Sequence, residues 1–338
     1  MEIKEITGNT PVTGEYLILE NQLRTAKNGS TYLAMKIGDQ TGELAVKIWD
    51  ADLELFQLLE VGKVIELKNL TPKLFKGQIQ LEWEGKQTDA FRLLPAAEID
   101  YSKFLPRSPG NLTEYWDFLR KQVNTIENAY LKRILLSFFD DQEFVTRFTM
   151  VPAALKRHHA YIGGLLEHTA GVTAICQAAA AYYQMVNRDL LITGAILHDV
   201  GKVKTYKLER NIEGTDEGKL IGHLILGVRM VEEVMAKTPG GADKENKEFQ
   251  QLKNSLLHLL VSHHGIMEWG SPVEPLTVEA CILHHADNMD AQVQKFLTVI
   301  RGQNSNDEWS PYDPGLGKSI FMGNLNRRDL EDHISEGA

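Results

Sequence analysis

The stretch LLITGAILHDVGK, residues 190–202, decides the fold of the larger part of this chain. Almost every residue before His198 is apolar, and a helix that is apolar on all sides is normally buried. The helix then ends in an imidazole and a carboxylate, at His198 and Asp199. Because burying an unpaired charge is very costly, both groups need partners, and a divalent metal ion suits both. The stretch therefore predicts a metal site inside a helical domain.

The remaining histidines are concentrated around this stretch. Ten of the eleven lie between residues 158 and 285, and the first 157 residues contain none. A helical bundle can direct side chains from facing helices at one point in its core, which is a recurrent way to build two-metal sites. The further candidate ligands, at or near the ends of otherwise apolar helices, are His168, His223, His263, His264 and Asp287.

The mixture of ligand types limits which metal these residues can hold. Histidines and carboxylates without cysteine argue against a structural zinc site. They suit Mn²⁺, Fe²⁺, Co²⁺ or Ni²⁺ and are too rich in nitrogen for a Mg²⁺-only site. Two ions about 3.5–4 Å apart can activate a hydroxide and stabilise a phosphorus centre under attack. We therefore expect two divalent ions that share a carboxylate, Mn²⁺ first, with Co²⁺ or Fe²⁺ as alternatives.

Composition indicates a soluble, acidic protein. The 338 residues are 43% hydrophobic and carry a formal net charge of −10, which argues against a generally basic surface for nucleic acid. The sequence shows no signal peptide, and no apolar run approaches the roughly 20 residues needed to cross a bilayer. Cys176 and Cys281 lie in apolar helical segments, so we expect two core thiols in a reducing, cytoplasmic compartment, with one disulfide as the alternative.

Residues 1–90 have the pattern of an all-β domain. Three strands, a short helix and two strands are the order of an oligonucleotide/oligosaccharide-binding (OB) barrel, which binds ligands along strands 2 and 3 and in the loops joining strands 1–2 and 4–5. These loops are predicted to carry cations for phosphate and an aromatic face for a base. A structural or assembly role, with Trp49 and Trp83 as core residues, is the alternative. The predicted substrate contacts in the loops are Lys27, Lys73, Phe75 and Lys76.

The predicted architecture is therefore multidomain, an all-β OB barrel followed by an all-α bundle. Proline and glycine in residues 91–110 indicate a linker, residues 111–302 the helical domain, and residues 303–338 an extended tail. Gly163 and Gly164 predict a turn or a close backbone approach before a helix. Gly201 predicts a left-handed position that frees Lys202 to turn back. The expected helices are 112–125, 128–139, 141–148, 165–186, 189–200, 219–237, 247–264 and 276–300, with a short hairpin between 205 and 220.

Taken in order, these residues resemble the HD-domain metal phosphohydrolases. Longer segments are similar to the YhaM-type 3′→5′ exoribonucleases, and the resemblance covers about residues 1–310. The HD dipeptide alone is a weak signal, whereas the ordered set is a strong one. The matching segments are HHAYIGGLLEHT (158–169), HD-GK (198–202), EGKLIGH (217–223), HHG (263–265), GSPV (270–273) and HADNMD (285–290).

The resemblance implies a role for each candidate residue. His168, His198, Asp199 and Asp287 would hold one ion, and Asp199 would bridge to a second ion held by His223, His263 and His264. Lys202 would contact a substrate phosphate; a solvated helix-end cation is the alternative. The alternative for His263 and His264 is that one is a ligand and the other contacts either a ligand or the substrate phosphate. Adjacent helical residues point about 100° apart, so at most one of His158 and His159 should face the site, and His159 is the predicted substrate contact.

The resemblance further implies an activity. The chain would degrade single-stranded RNA, with single-stranded DNA as an alternative, from the 3′ end by metal-hydroxide attack, releasing nucleoside 5′-monophosphates. The barrel would hold the strand and feed its 3′ end to the metals, and we expect a homo-oligomer and no membrane partner. The main alternative is an HD phosphohydrolase acting on free or cyclic nucleotides, with the barrel used for assembly. A binding protein with a degenerate metal centre is a further alternative.

Overall fold

A computed structural model describes most of the chain as two compact units. The first unit comprises Met1–Pro106 and also Leu208, and the second comprises Arg107–Lys207 and the described residues from Ile212 onward. Three residues singled out in the sequence, Lys27, Lys76 and His158, lie outside the described residues. The described ranges are 1–8, 10–26, 28–75, 78–87, 89–95, 98–155, 159–208, 212–238, 247–301 and 307–323.

The first unit is the predicted OB barrel. Its sheet order is β5-β6-β3-β2-β1-β4-β7, with β3 and β6 parallel and the other neighbours antiparallel. Only two residues join β4 to β5, which lie near opposite ends of this order, so the sheet must curve round on itself. The elements are β1 Val12–Thr25, β2 Thr31–Asp39, β3 Gly42–Trp49, α1 Leu53–Leu58, β4 Val64–Leu70, β5 Lys73–Phe75, β6 Gln78–Glu84 and β7 Phe91–Leu93.

Alternating side chains build the core of the barrel. On β2, Leu33 and Ile37 point inward, and on β3, Val46 and Ile48 do the same. Such alternation buries one face of each strand and leaves the other face for contacts outside the barrel. The long strand β1 pairs with both β2 and β4, and its register with β2 shifts once, which allows the strand to bend between its two partners.

Two predictions for this unit were wrong in detail. Residues 73–76 were expected in a loop, but Lys73–Phe75 form β5, which pairs antiparallel with β6. Residues 91–110 were expected to be a linker, but β7 pairs with β4, and Phe104 packs against Leu17 and Val64. The prolines therefore separate short packed segments, and the first unit extends to Pro106.

The second unit is the predicted helical bundle, with one short hairpin where it was expected. The predicted helix at 219–237 is broken at Gly222, whose φ of 81° ends one helix and starts the next at His223. The elements are α2 Leu112–Asn124, α3 Ala129–Phe139, α4 Gln142–Phe148, α5 Gly164–Tyr182, α6 Arg188–Leu197, α7 Lys202–Thr205, β8 Tyr206–Leu208, β9 Ile212–Gly214, α8 Asp216–Ile221, α9 His223–Lys237, α10 Lys247–Ser262 and α11 Val278–Arg301.

Helix α6 is the centre of this bundle. Asn187 caps its start by accepting a hydrogen bond from the amide of Leu190, and every residue from Leu190 to Leu197 is buried. The helix packs against α3, α5, α10 and α11, so its last turn delivers His198 and Asp199 into the interior. Of the two cysteines, Cys176 is buried, whereas Cys281 is exposed, which corrects the expectation that both lie in the core.

The described part of the predicted tail is folded rather than extended. The amide of Ser310 donates a hydrogen bond to the carbonyl oxygen of Ile320, and an isolated β-bridge joins Trp309 to Phe321. Ile320 and Met322 are buried, which gives this segment a small apolar anchor. Among the described helices, none is both long and apolar enough to span a membrane.

Candidate metal centre

One cluster of polar atoms forms where α5, α6 and α11 meet. The Nε2 atom of His168, on α5, lies 3.2 Å from His198 Nε2 and 3.2 Å from Asp287 Oδ1. Asp199 Oδ2 completes the cluster, 3.4 Å from His168 Nε2 and 3.3 Å from His198 Nε2. Three helices thus bring two imidazoles and two carboxylates to one point.

A second cluster lies on the other side of the same carboxylate. Asp199 Oδ1 is 3.3 Å from His223 Nε2 and 3.6 Å from His263 Nε2. A ligand atom of His264 lies within 4.8 Å of these three, so both members of the 263–264 pair face the cluster. The two oxygens of Asp199 therefore point into different clusters, the arrangement of a bridging carboxylate.

The histidines present the nitrogen that a metal would need. The Nδ1 atoms of His198, His263 and His264 each lie 2.8 Å from a backbone carbonyl oxygen. A carbonyl oxygen only accepts hydrogen bonds, so each Nδ1 must carry the proton. Each Nε2 then faces its cluster with a free lone pair, which is the usual state of a metal-binding histidine.

Buried polar atoms without a hydrogen-bond partner indicate whether a cation fits between these side chains. Asp199 Oδ1, His223 Nε2 and His263 Nε2 are buried and have no hydrogen-bond partner in the described part of the chain. Buried polar atoms are almost always paired, because leaving one unpaired is costly. A divalent cation would satisfy all three atoms, and the nitrogen and oxygen donors suit Mn²⁺, Fe²⁺ or Co²⁺.

Burial and charge keep His223, His264 and Asp199 in the protonation states that coordination requires. Burial lowers the pKa of His223 well below its ordinary value and lowers the pKa of His264 to about 4. Both imidazoles are therefore neutral near pH 7. Burial opposes ionisation of Asp199, but the nearby Lys202 and His198 hold the pKa of this carboxyl well below its usual range. Asp199 is therefore an anion.

Lys202 is part of the centre and not a solvated cation. Its side chain is only 9% exposed, and its ammonium forms an ion pair with Asp199 Oδ2. Burial opposes its charge, but Asp199 raises the pKa of the ammonium above its ordinary value. The structure thus places Lys202 beside the carboxylate that the two clusters share, with its substrate contact still a prediction.

Three glycines allow the backbones around the centre to approach each other. Gly163 has a φ of 81°, and a Cβ on Gly164 would overlap the carbonyl of His159, so both predicted reasons for this pair hold. The left-handed conformation expected for Gly201 was wrong, because its φ is −63°. Glycine is required there because a Cβ would overlap the carbonyl oxygen of His223, so α7 packs directly on the start of α9.

The prediction that His159 contacts substrate is corrected by its burial. Its side chain is fully buried, with Nε2 2.9 Å from Asp290 Oδ2 and Nδ1 3.0 Å from the hydroxyl of Tyr161. Asp290 was not identified from the sequence, although it also contacts His168 Nδ1 at 2.6 Å. The available signal was its spacing, since Asp287 and Asp290 lie three residues apart and so share one face of α11.

The first unit has an aromatic strip on the outer face of β2, β3 and β5, formed by Tyr32, Lys47, Trp49 and Phe75. The rings of Tyr32 and Trp49 are cross-strand partners 5.0 Å apart. The ammonium of Lys47 lies 5.8 Å from the Trp49 ring and 4.4 Å from the Phe75 ring. Tyr32 and Lys47 were not identified from the sequence, and Trp49 is half-buried on this face rather than in the core.

The other tryptophan and lysine singled out in this unit have structural surroundings. Trp83 is 4% exposed, so it is the core residue that the alternative interpretation expected. Lys73 remains exposed but forms a salt bridge of 3.1 Å with Glu82, which offsets part of its charge.

Comparison with known proteins gives the chain's relatives. The HD domain family model matches residues 165–292, which contain all seven predicted ligands. The 3′-5′ exoribonuclease YhaM of Listeria welshimeri is 33% identical over 291 residues, 85% of this chain and 87% of that protein. The protein of the same name from Bacillus subtilis is 31% identical over 286 residues, 82% of this chain and 84% of its own length.

A solved structure, the OB domain of Ta0387 from Thermoplasma acidophilum, aligns with 28% of this chain and 82% of its own length. The identity is 14% and the TM-score 0.21, so the barrel is assigned here from its own strand order.

The barrel, the matched HD domain and the two ligand clusters define the class: an OB barrel joined to an HD-domain bundle. Identity above 30% over most of both chains narrows the class further. The chain belongs to the family of the 3′-5′ exoribonuclease YhaM.

Proposed function

We propose that this protein is a metal-dependent 3′→5′ exoribonuclease that shortens single-stranded RNA to nucleoside 5′-monophosphates, with single-stranded DNA as a second substrate. The observation that carries the proposal is the position of Asp199, whose two oxygens face two separate sets of ligands 3.3–3.6 Å away. The direction of attack follows that of the relatives, which are named 3′-5′ exoribonucleases.

The reaction is a hydrolysis in which water adds to the terminal phosphorus. The bond from phosphorus to the 3′ oxygen of the preceding nucleotide breaks, and that oxygen leaves with a proton. Divalent ions held by the two clusters would polarise the phosphodiester and lower the pKa of the attacking water. Lys202, a buried cation beside Asp199, is the residue that would move to a phosphate oxygen and offset the charge that grows there.

The aromatic strip of the first unit suits the strand that such an enzyme would hold. Base–aromatic stacking contributes about 1–3 kcal/mol per base, and it does so without regard to sequence. Tyr32 and Trp49 offer two neighbouring rings, and Lys47 supplies a cation next to the ring of Phe75. This combination of flat faces and positive charge is typical of a surface for single strands.

The proposal also covers the metal ions, the cellular compartment and the oligomeric state. Two ions, Mn²⁺ first and Co²⁺ or Fe²⁺ as alternatives, match the two donor sets. The two unpaired cysteines support a reducing, cytoplasmic compartment. We propose a homo-oligomer, because several barrels together would help a chain of net charge −10 to retain RNA.

Degradation of a 5′-labelled RNA tests the proposed function. The substrate is a single strand of about 20 nucleotides, longer than the 4–16 that one OB fold covers. It is incubated with the full chain and Mn²⁺, beside a chelator control and the variant Asp199→Asn. Asparagine is preferred to alanine because it keeps a polar partner for buried Lys202. Glu233→Gln, which alters an exposed acid of α9, is the matched control.

We expect a descending ladder that requires both Mn²⁺ and Asp199 and that Glu233→Gln leaves unchanged. If RNA stays intact while free or cyclic nucleotides are hydrolysed, the substrates of the enzyme are small nucleotides and not RNA. A ladder that persists with chelator, or in Asp199→Asn, would contradict the metal mechanism.

A further inference from the structure

The carboxylate of Asp290 lies behind the ligand His168. Asp290 Oδ2 is 2.6 Å from His168 Nδ1, while the other ring nitrogen of His168 faces Asp287 Oδ1 at 3.2 Å and Asp199 Oδ2 at 3.4 Å. The contact is charge-assisted and short, and it fixes which face of the imidazole points to the first cluster.

Asp290 is itself held by a second imidazole. His159 Nε2 lies 2.9 Å from the same oxygen, Oδ2, and the Nδ1 atom of His159 contacts the hydroxyl of Tyr161 at 3.0 Å. That hydroxyl donates to Glu167 Oε2 at 2.8 Å. The side chain of Asp290 is 11% exposed, so these contacts form in the interior and not on a solvated face.

A glycine on α5 makes the space that Asp290 occupies. Gly171 lies three residues after His168, and a Cβ at this position would overlap Asp290 Oδ1. Alanine is more favourable than glycine in a helix interior. The space for the carboxylate therefore depends on a residue that the helix alone would not favour.

We infer that Asp290 is a positioning residue of the metal centre, which holds the His168 ring by its Nδ1 atom and so directs Nε2 toward the first cluster. His159 in turn holds Asp290, and Gly171 provides its place. This inference rests on the proposed metal centre and extends it beyond the ligands. Carboxylates that orient metal-binding histidines typically change metal affinity about 10–100-fold when they are removed.

Titration of the metal-free full chain with Mn²⁺ alone tests the role of Asp290, with bound and free ion separated by equilibrium dialysis. Three variants are compared with the wild type: Asp290→Ala removes the acceptor, Asp290→Asn keeps an oxygen but removes the charge, and Gly171→Ala displaces the carboxylate. Glu279→Ala is the matched control, because this acid is also on α11 but accepts a hydrogen bond from the amide of Asn187.

We expect Asp290→Ala and Gly171→Ala to weaken the affinity of the first cluster for Mn²⁺ by about 10–100-fold, with a smaller loss in Asp290→Asn. Glu279→Ala should bind Mn²⁺ as the wild type does. Thermal unfolding without metal checks that each variant folds, and ¹⁵N chemical shifts of His168 report which nitrogen carries the proton. The shifts should change in Asp290→Ala and remain in Glu279→Ala.

Wild-type affinity for Mn²⁺ and an unchanged His168 tautomer in both Asp290→Ala and Gly171→Ala would overturn the inference, even if stability or activity fell. Failure of the wild type itself to bind Mn²⁺ would instead overturn the proposed function, so the two failures are distinguishable.

Discussion

Lys202 and Asp199 form a buried ion pair at the place where the two ligand clusters meet. Removing one partner of such a pair leaves an uncompensated charge, which typically costs about 3–5 kcal/mol. Each member of the pair therefore compensates the buried charge of the other. A cation at either cluster would compete with Lys202 for Asp199, which would release the ammonium for another anion.

This competition predicts opposite effects of Lys202→Met on binding and on turnover. Mn²⁺ affinity should stay the same or rise, because a nearby positive charge is removed. RNA hydrolysis should fall roughly 10²-fold, the loss typical when a group that stabilises transition-state charge is removed. Lys204→Met, at an exposed position on the same short helix, is the control. Parallel loss of Mn²⁺ binding and turnover would indicate a structural role for Lys202.

The two cysteines should differ in reactivity toward a thiol reagent at mildly alkaline pH. Burial raises the pKa of Cys176 to about 12, so this thiol stays protonated and inaccessible. Cys281 is exposed on α11. We expect one fast-reacting thiol in the native protein and two after denaturation, with the fast thiol absent in Cys281→Ser. Fast reaction of the Cys281→Ser variant would contradict the burial of Cys176.

At the scale of elements, the centre depends on where helices stop. Helix α6 ends just before His198, α10 just before His263, and α9 begins at His223. Gly222 separates α8 from α9 with a φ of 81° and a ψ of 151°, a conformation that is essentially restricted to glycine. The position of His223 thus follows from a break that no other residue would accept without strain.

Gly222→Ala should therefore destabilise the protein although its side chain has room. No heavy atom lies within 4 Å of the added Cβ, so the expected cost of about 1–3 kcal/mol is backbone strain alone. Mn²⁺ affinity should fall as well, because the strain is relieved by moving His223. Gly8→Ala is the control, since its Cβ also meets open space but its φ is not positive. Equal unfolding free energies of the two variants would contradict this explanation.

Much of this arrangement could be predicted from the sequence because its signals are local. Apolar helices that end in histidine or aspartate predict His198, Asp199 and His263 as ligands, and the order of strands and helix in residues 1–90 predicts the barrel. The three-residue spacing places Asp290 on the same helix face as Asp287, but a solvated acid can have the same spacing, so the role of Asp290 could not be predicted. Its role depends on space left by Gly171 on a different helix.

Other differences between the predictions from sequence and the structure also arise from contacts between residues that are distant in the chain. The strand β5 has three exposed residues without alternation, so its pairing with β6 is invisible in the local pattern. Gly201 looked like a helix-end residue because it follows a polar pair, but its requirement arises from the carbonyl of His223, twenty-two positions away. His159 looked like a substrate contact because its partner, Asp290, was not recognised.

At the scale of the whole molecule, the two units carry different parts of the proposed function. The described residues of the second unit contain both ligand clusters, and the first unit contains the aromatic strip. Binding of long strands and cleavage of a phosphodiester should therefore respond to different substitutions.

The double substitution Trp49→Ala and Phe75→Ala tests this division. Each lost ring should weaken the binding of long RNA by about 1–3 kcal/mol, whereas turnover of a dinucleotide should remain nearly unchanged. Lys73→Ala with Phe75→Ala should have a smaller effect, because Lys73 is already paired with Glu82. Tyr182→Ala, at an exposed aromatic residue of the second unit, is the control. Equal losses on long and short substrates would show that the strip does not hold RNA.

The most direct test of the account is electron paramagnetic resonance of the full chain loaded with Mn²⁺. If Asp199 bridges two ions about 3.5–4 Å apart, their spins must couple and the spectrum must differ from that of isolated Mn²⁺. We predict a coupled signal at saturation, which Asp199→Asn converts into the spectrum of isolated ions. A wild-type spectrum of isolated ions at saturation would contradict the central claim that Asp199 joins two metal sites.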